Sequence, residues 1–181
     1  MPTSHQEGRI GFQFPKGWQV VRPGKSAFYQ RHFQHFCGRQ KEMDFLLADP
    51  DGALWMLEVK DYTTDARTKP QDLMDEVAVK VRDSLAMLAA ASANDHTDPA
   101  KVGDLARFVL PLTQIRVVLH LENPVKPSRL FPGAKLAADP TQLLRTKLRS
   151  VDARALVVST HGPASVPWTS KWIRSRHAPD P

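Results

Sequence analysis

A chain of 181 residues can bury one sizeable core, and 41% hydrophobic with 24% charged residues is the balance of a soluble globular protein. Its one cysteine, Cys37, excludes an internal disulfide and a multi-cysteine zinc site; no apolar run reaches membrane-spanning length, and the polar start is not a signal peptide. The formal charge of +6 is uneven: residues 101–181 hold 13 Lys and Arg against 5 Asp and Glu, a net of +8, which leaves 12 against 14, or −2, in residues 1–100. This predicts a cytoplasmic protein of one domain, residues 1–181, with an acidic half for chemistry and a basic half for phosphate contact, against the plain alternative that the charge serves solubility.

Residues 1–23 read as an N-terminal extension. Phe12, Phe14, Trp18 and Val20 fall on even positions, broken by Pro15 and Gly17, which predicts a short edge strand or an extended segment over the core, with no chemistry of its own. Pro23-Gly24-Lys25-Ser26 then supplies a turn and an N-cap for a helix over 27–37, closed by Gly38. Phe28, Tyr29, His32, Phe33 and Phe36 share its apolar face, so His32 reads as a core histidine and Cys37 as a buried apolar residue.

Residues 43–62 organise the chain. Two apolar runs flank Pro50-Asp51-Gly52, where Pro50 presets φ, Asp51 favours the turn and Gly52 accepts φ > 0, so the segment reads as a β-hairpin. A three-residue loop pairs Asp49 with Ala53 and therefore Asp44 with Glu58 across the ladder, and Lys60 shares their face. Half-buried charges need partners, and a divalent cation between Asp44 and Glu58, with the Val59 carbonyl as a further ligand, supplies one. Mg²⁺, or Mn²⁺ in its place, suits these oxygen donors, and Lys60 is positioned for the transition state. A solvated hairpin face with a cross-strand salt bridge is the plain alternative.

Asp44 followed by Glu58-Val59-Lys60 at the end of a hairpin resembles the D…(D/E)xK signature of the PD-(D/E)XK nuclease superfamily. Met43-Asp44-Phe45-Leu46-Leu47, Asp51-Gly52 and Leu57-Glu58-Val59-Lys60-Asp61-Tyr62 are most similar to its nuclease-related (NERD-like) branch. The resemblance covers about twenty residues and implies a restriction-endonuclease-like αβββαβ core, a mixed central sheet flanked by helices. It implies that Asp44 and Glu58 hold the metal with Val59, and that Asp44, Glu58 and Lys60 are catalytic. The superfamily often draws a further acid from its first helix, but no acid lies in 27–37; Gln30, His32, His35 and Glu42 are the nearby substitutes.

Beyond the hairpin, 63–69 reads as a surface loop and 70–93 as a long helix with Leu73, Val77, Val81, Leu85 and Leu88 as its core stripe. The resemblance makes Lys80 a phosphate contact; a solvated Glu76–Lys80 pair is the alternative. A short helix over 101–109 precedes a central strand over 115–121, in which His120 reads as an ordinary sheet histidine. Residues 123–138 form a loop whose Lys126, Arg129 and Lys135 are candidates to border a nucleic-acid cleft. A helix over 140–148 and a last strand over 155–160 follow, and the tail, 161–181, docks through its two tryptophans. No internal repeat, Gly-rich phosphate loop or nucleophile elbow is present, which removes P-loop, Rossmann and α/β-hydrolase readings.

The leading expectation is an α/β protein acting as a metal-dependent nuclease, with DNA as the partner, no membrane, and either a protein partner or self-association left open. The alternative is a catalytically inactive nuclease-fold protein that binds nucleic acid or serves as an interaction subunit of a larger bacterial system.

Overall fold

The Pro50–Gly52 turn closes a hairpin in the computed structural model, which describes residues 2–65, 67–68, 71–94, 101–111, 114–123, 139–162 and 165–173. Asp49 N donates to the Ala53 carbonyl at 3.2 Å, Gly52 N donates to the Asp49 carbonyl at 3.0 Å, and Gly52 takes φ +90°. Strand β4 (Phe45–Ala48) therefore meets β5 (Leu54–Asp61) with Phe45 opposite Leu57 and Leu47 opposite Trp55. This is the register that the turn chemistry predicts, because a loop of fixed length leaves no freedom to slip.

Around this hairpin the chain is mixed α/β. Strand β3 (Gln19–Val21) adds antiparallel outside β4, while β6 (Ile115–Glu122) and β7 (Leu156–Val158) add parallel on the other side, giving the order β3-β4-β5-β6-β7. Helices α1 (Leu73–Asn94) and α2 (Val102–Val109) cover one face, where Val77, Val81, Leu88 and Leu105 pack against Leu46, Met56, Val117 and Leu119. Helix α3 (Pro140–Lys147) lies against β7 and α1. Asp72 caps α1 by accepting from Met74 N at 2.8 Å, and Asp139 caps α3 by accepting from Thr141 N at 2.9 Å.

The other face is covered differently from the sequence expectation. The N-terminal residues do not lie as one extended edge; β1 (Thr3–Glu7) and β2 (Ile10–Phe14) form a hairpin, and β8 (Thr169–Trp172), from the tail, pairs antiparallel with β2. Alternation in β2 turns Ile10, Phe12 and Phe14 inward onto Phe45, Leu47, Leu57, Val118 and Trp168. Trp168 is the hinge of this aromatic layer, with ring centroids 5.7 Å from Phe14 and 5.5 Å from Trp55.

The predicted helix over 27–37 is also corrected. A wide helical turn spans Tyr29–Phe33, with Gln34 N reaching the Tyr29 carbonyl five residues back at 2.8 Å, and the chain leaves it before Cys37 (φ 49°) and Gly38 (φ 106°). The widened turn brings Phe28, Tyr29 and Phe33 to the core together. Cys37, His32 and Phe36 stay outside, Phe36 at 56% exposure, so His32 is not a core residue and Cys37 is not buried.

Candidate functional site

Two ladder-breaking contacts create the site. Lys41 N donates to Asp83 Oδ2 at 3.0 Å and Met43 N to Ser84 Oγ at 2.9 Å, which pins the approach to β4 onto α1 and pulls it away from β5. Val59 then has no strand partner on that side. Asp44 fills the gap, its Oδ2 accepting from Val59 N at 2.7 Å. Because N–H and C=O of one strand residue point to the same edge, the Val59 carbonyl also emerges beside Asp44.

Glu58 and Lys60 alternate onto the face covered by α1, which adds Glu76 and Lys80. Glu58 is fully buried, and its Oε1 accepts from Lys80 Nζ at 2.6 Å and Lys60 Nζ at 2.8 Å. Lys80 Nζ also stands 3.9 Å from Asp44 Oδ1, so one ammonium spans the two carboxylates. Glu58 Oε2 is buried with no hydrogen-bond partner among the described residues. Lys60 reaches on to Glu76 Oε1 at 3.2 Å, whose Oε2 accepts from Arg67 at 2.8 Å.

The electrostatics follow from burial. Removal from water, then repulsion by Asp44, outweighs the attraction of Lys80 and Lys60 and pushes the Glu58 carboxyl up to about 7. Lys60 responds in the opposite sense: burial opposes its charge, but Glu58 and Glu76 together outweigh it and hold the ammonium protonated above its ordinary range. The difference is physical, since Lys60 keeps 17% of its side chain in solvent and has two anionic partners, whereas Glu58 keeps none.

Asp44, Glu58, Val59, Lys60 and Lys80 thus meet at one end of the hairpin. Lys80 does not make the solvated i,i+4 pair with Glu76, because Glu76 is directed to Lys60 and Arg67. Lys126, Arg129 and Lys135 lie outside the described residues. The substitutes for a first-helix acid do not join the cluster in the form expected: Gln30 donates to the Gly24 carbonyl at 2.9 Å, His35 is exposed, and Glu42 turns to Tyr29. His120 faces the opposite side of the sheet, packed edge-on to Phe12 at 5.2 Å and bonded to Glu122 at 2.9 Å.

Sequence reasoning missed Glu7 and Arg22. Glu7 ends β1, is gripped by Arg22, and lies close enough to Asp44 that burial and then Asp44 push its carboxyl up against the pull of Arg22, Lys25 and Lys80. Arg22 in turn stands over the Phe45 ring at 5.2 Å. A signal for Glu7 existed in the two-residue Gly8-Arg9 link, with Gly8 at φ +54°, which marks a hairpin tip. Among the described residues no three His, Cys, Asp or Glu side chains are grouped so as to hold a metal, and no helix is long and apolar enough to cross a membrane.

Comparison with known proteins leaves the family open. No family model and no solved structure matches. Over 177 residues the chain is 27% identical to a cysteine–tRNA ligase of Neisseria meningitidis serogroup A, an alignment covering 81% of this chain and 24% of that protein. The chain therefore spans about a quarter of the length of the relative it matches.

Proposed function

We propose that the protein is a Mg²⁺-dependent nuclease with a restriction-endonuclease-like core, hydrolysing phosphodiesters of DNA. The observation that carries this reading is the buried Glu58 carboxyl, sharing a face with Asp44 and Lys60 and retaining an oxygen with no hydrogen-bond partner among the described residues. An orphaned buried carboxylate oxygen is costly, and a cation is its natural complement. Mg²⁺ asks for one or two carboxylates and completes its shell with water and phosphate oxygens, so Asp44, Glu58 and the Val59 carbonyl fit it. When bound, the ion supplies Lewis acidity and charge neutralisation at the scissile phosphate.

The chain's own groups do the rest. Asp44 orients by its bond to Val59 N, and burial fixes Glu58. Lys60, tied to Glu58 and Glu76, presents a permanent positive charge to a phosphate oxygen as negative charge develops there. Lys80 acts as the resident counter-cation, which a metal must displace from Glu58. Replacing Lys80 by Met therefore tightens Mn²⁺ binding, by about tenfold or 1.4 kcal/mol. Isothermal calorimetry reads this; weaker binding by the variant would give Lys80 a supporting role instead.

The assay of the function itself is cleavage of plasmid and of single- and double-stranded oligonucleotides with Mg²⁺ or Mn²⁺, against an EDTA control. Metal-dependent products support the nuclease. One observation favours a second reading, a silent nuclease-fold protein that binds nucleic acid: the Lys80 ammonium already bridges Glu58 and Asp44 as a cation would. Retention of nucleic acid without cleavage under every metal condition selects it. A transfer RNA belongs among the substrates because of the similarity to part of a cysteine–tRNA ligase.

A further inference from the structure

The cations predicted to border the cleft, Lys126, Arg129 and Lys135, lie outside the described residues, and the described ones offer a different set along an edge of the sheet. Strand β3 is an edge of the five-stranded sheet, and a groove of about 770 Å³ runs along it. Its floor is Gln19–Val21; Arg22 and Lys25 rise from the turn that follows β3, and Lys101 from the start of α2 faces them. Lys25 and Lys101 are exposed, and among the described residues neither forms an ion pair. The acid at the groove wall, Asp104, is already held by Arg107 at 2.7 Å.

Arg22 joins the groove to the site. It lines the groove and grips Glu7, the acid brought close to Asp44. A chain of phosphates lying along β3 would therefore meet Lys25 and Lys101, which have no ion-pair partner among the described residues. A concave wall of protein focuses such charges more strongly than a flat surface does. The imidazole of His5, also in the groove, reports that field: burial first, then Arg22 and Lys25, lowers its pKa.

We infer that the β3-edge groove, through Lys25 and Lys101, is the track for the phosphodiester backbone of the nucleic acid whose reacting phosphate lies at Asp44 and Glu58. This rests on the nuclease reading for what happens at the far end, but the groove binds whether or not cleavage follows. The backbone contacts are to phosphate and carry no sequence preference.

The test uses the full-length protein in EDTA and fluorescence anisotropy of fluorescein-labelled oligonucleotides, single- and double-stranded, DNA and RNA. The wild type binds with an affinity that falls with salt. Lys25→Glu/Lys101→Glu loses at least about tenfold, and the slope of log affinity against log salt flattens by about 1.4 for a single strand or 1.8 for a duplex, as two phosphate contacts require. Arg149→Glu, an exposed change beyond α3 near the opposite sheet edge, serves as the control and shifts binding far less. Equal losses in both variants, or no salt-dependent binding by the wild type, overturns the groove. Cleavage assays of the wild type beside the binding series separate the two claims: groove-dependent binding without cleavage by the wild type removes the nuclease alone, whereas cleavage with binding indifferent to Lys25 and Lys101 removes the groove alone.

Discussion

Glu58→Gln abolishes metal-dependent cleavage, with a loss of about a hundred- to a thousandfold, while the protein stays folded. Gln keeps the shape of the side chain and an oxygen toward Lys60 and Lys80 but gives up the charge that holds a divalent ion. Truncation, Glu58→Ala, is a poorer test. It would leave two poorly hydrated ammonium groups facing a cavity, and removing one partner of a buried ion pair costs about 3–5 kcal/mol. Lys60→Gln, in contrast, loses about a hundredfold in rate without weakening Mn²⁺ binding, since Lys60 acts on phosphate and is a counter-charge to Glu58 rather than a ligand of the ion. Single-turnover cleavage paired with calorimetry separates these outcomes. Cleavage that survives both substitutions would move the active site elsewhere.

Relative to Glu58→Gln, the metal-free wild type loses stability as pH rises between about 5 and 7. The Glu58 carboxyl titrates near 7 in the folded protein against 4.5 in an ordinary setting. Through that window the folded chain keeps a proton that the unfolded chain has released, so rising pH favours unfolding until both forms are ionised. The shift amounts to roughly 3 kcal/mol, present above about pH 7 and absent below about pH 4.5. Lys60 adds nothing in this window, because its ammonium is held protonated in the fold. Urea denaturation of both proteins in EDTA across the range gives the difference directly. Parallel curves would mean that Lys60 and Lys80 fully compensate the buried carboxylate. Mg²⁺ at about pH 8 should close most of the gap, since a bound cation favours ionised Glu58 and stabilises the folded state by mass action.

The sequence by itself determined the parts governed by neighbours along the chain. Pro50-Asp51-Gly52 set the hairpin register, and with it the pairing direction of Asp44 and Glu58, because turn geometry and a period of two act over a dozen residues. The stripe of Leu73, Val77, Val81 and Leu88 placed α1, and the apolar run from Ile115 placed β6, for the same local reason. Tertiary structure alone decided what meets across the fold. The second sheet joins β2 to β8 over a separation of more than a hundred residues, a pairing that no local period encodes. The widened turn at Tyr29–Phe33 arises because three aromatics must reach one core. Glu76 is paired with Lys60 and Arg67, Lys80 with Glu58, and Glu7 is brought toward Asp44, because burial forces each charge to the nearest partner in space. The raised affinity of Glu58 for a proton is of the same kind: it comes from the loss of water around one carboxyl, a property of the assembled fold.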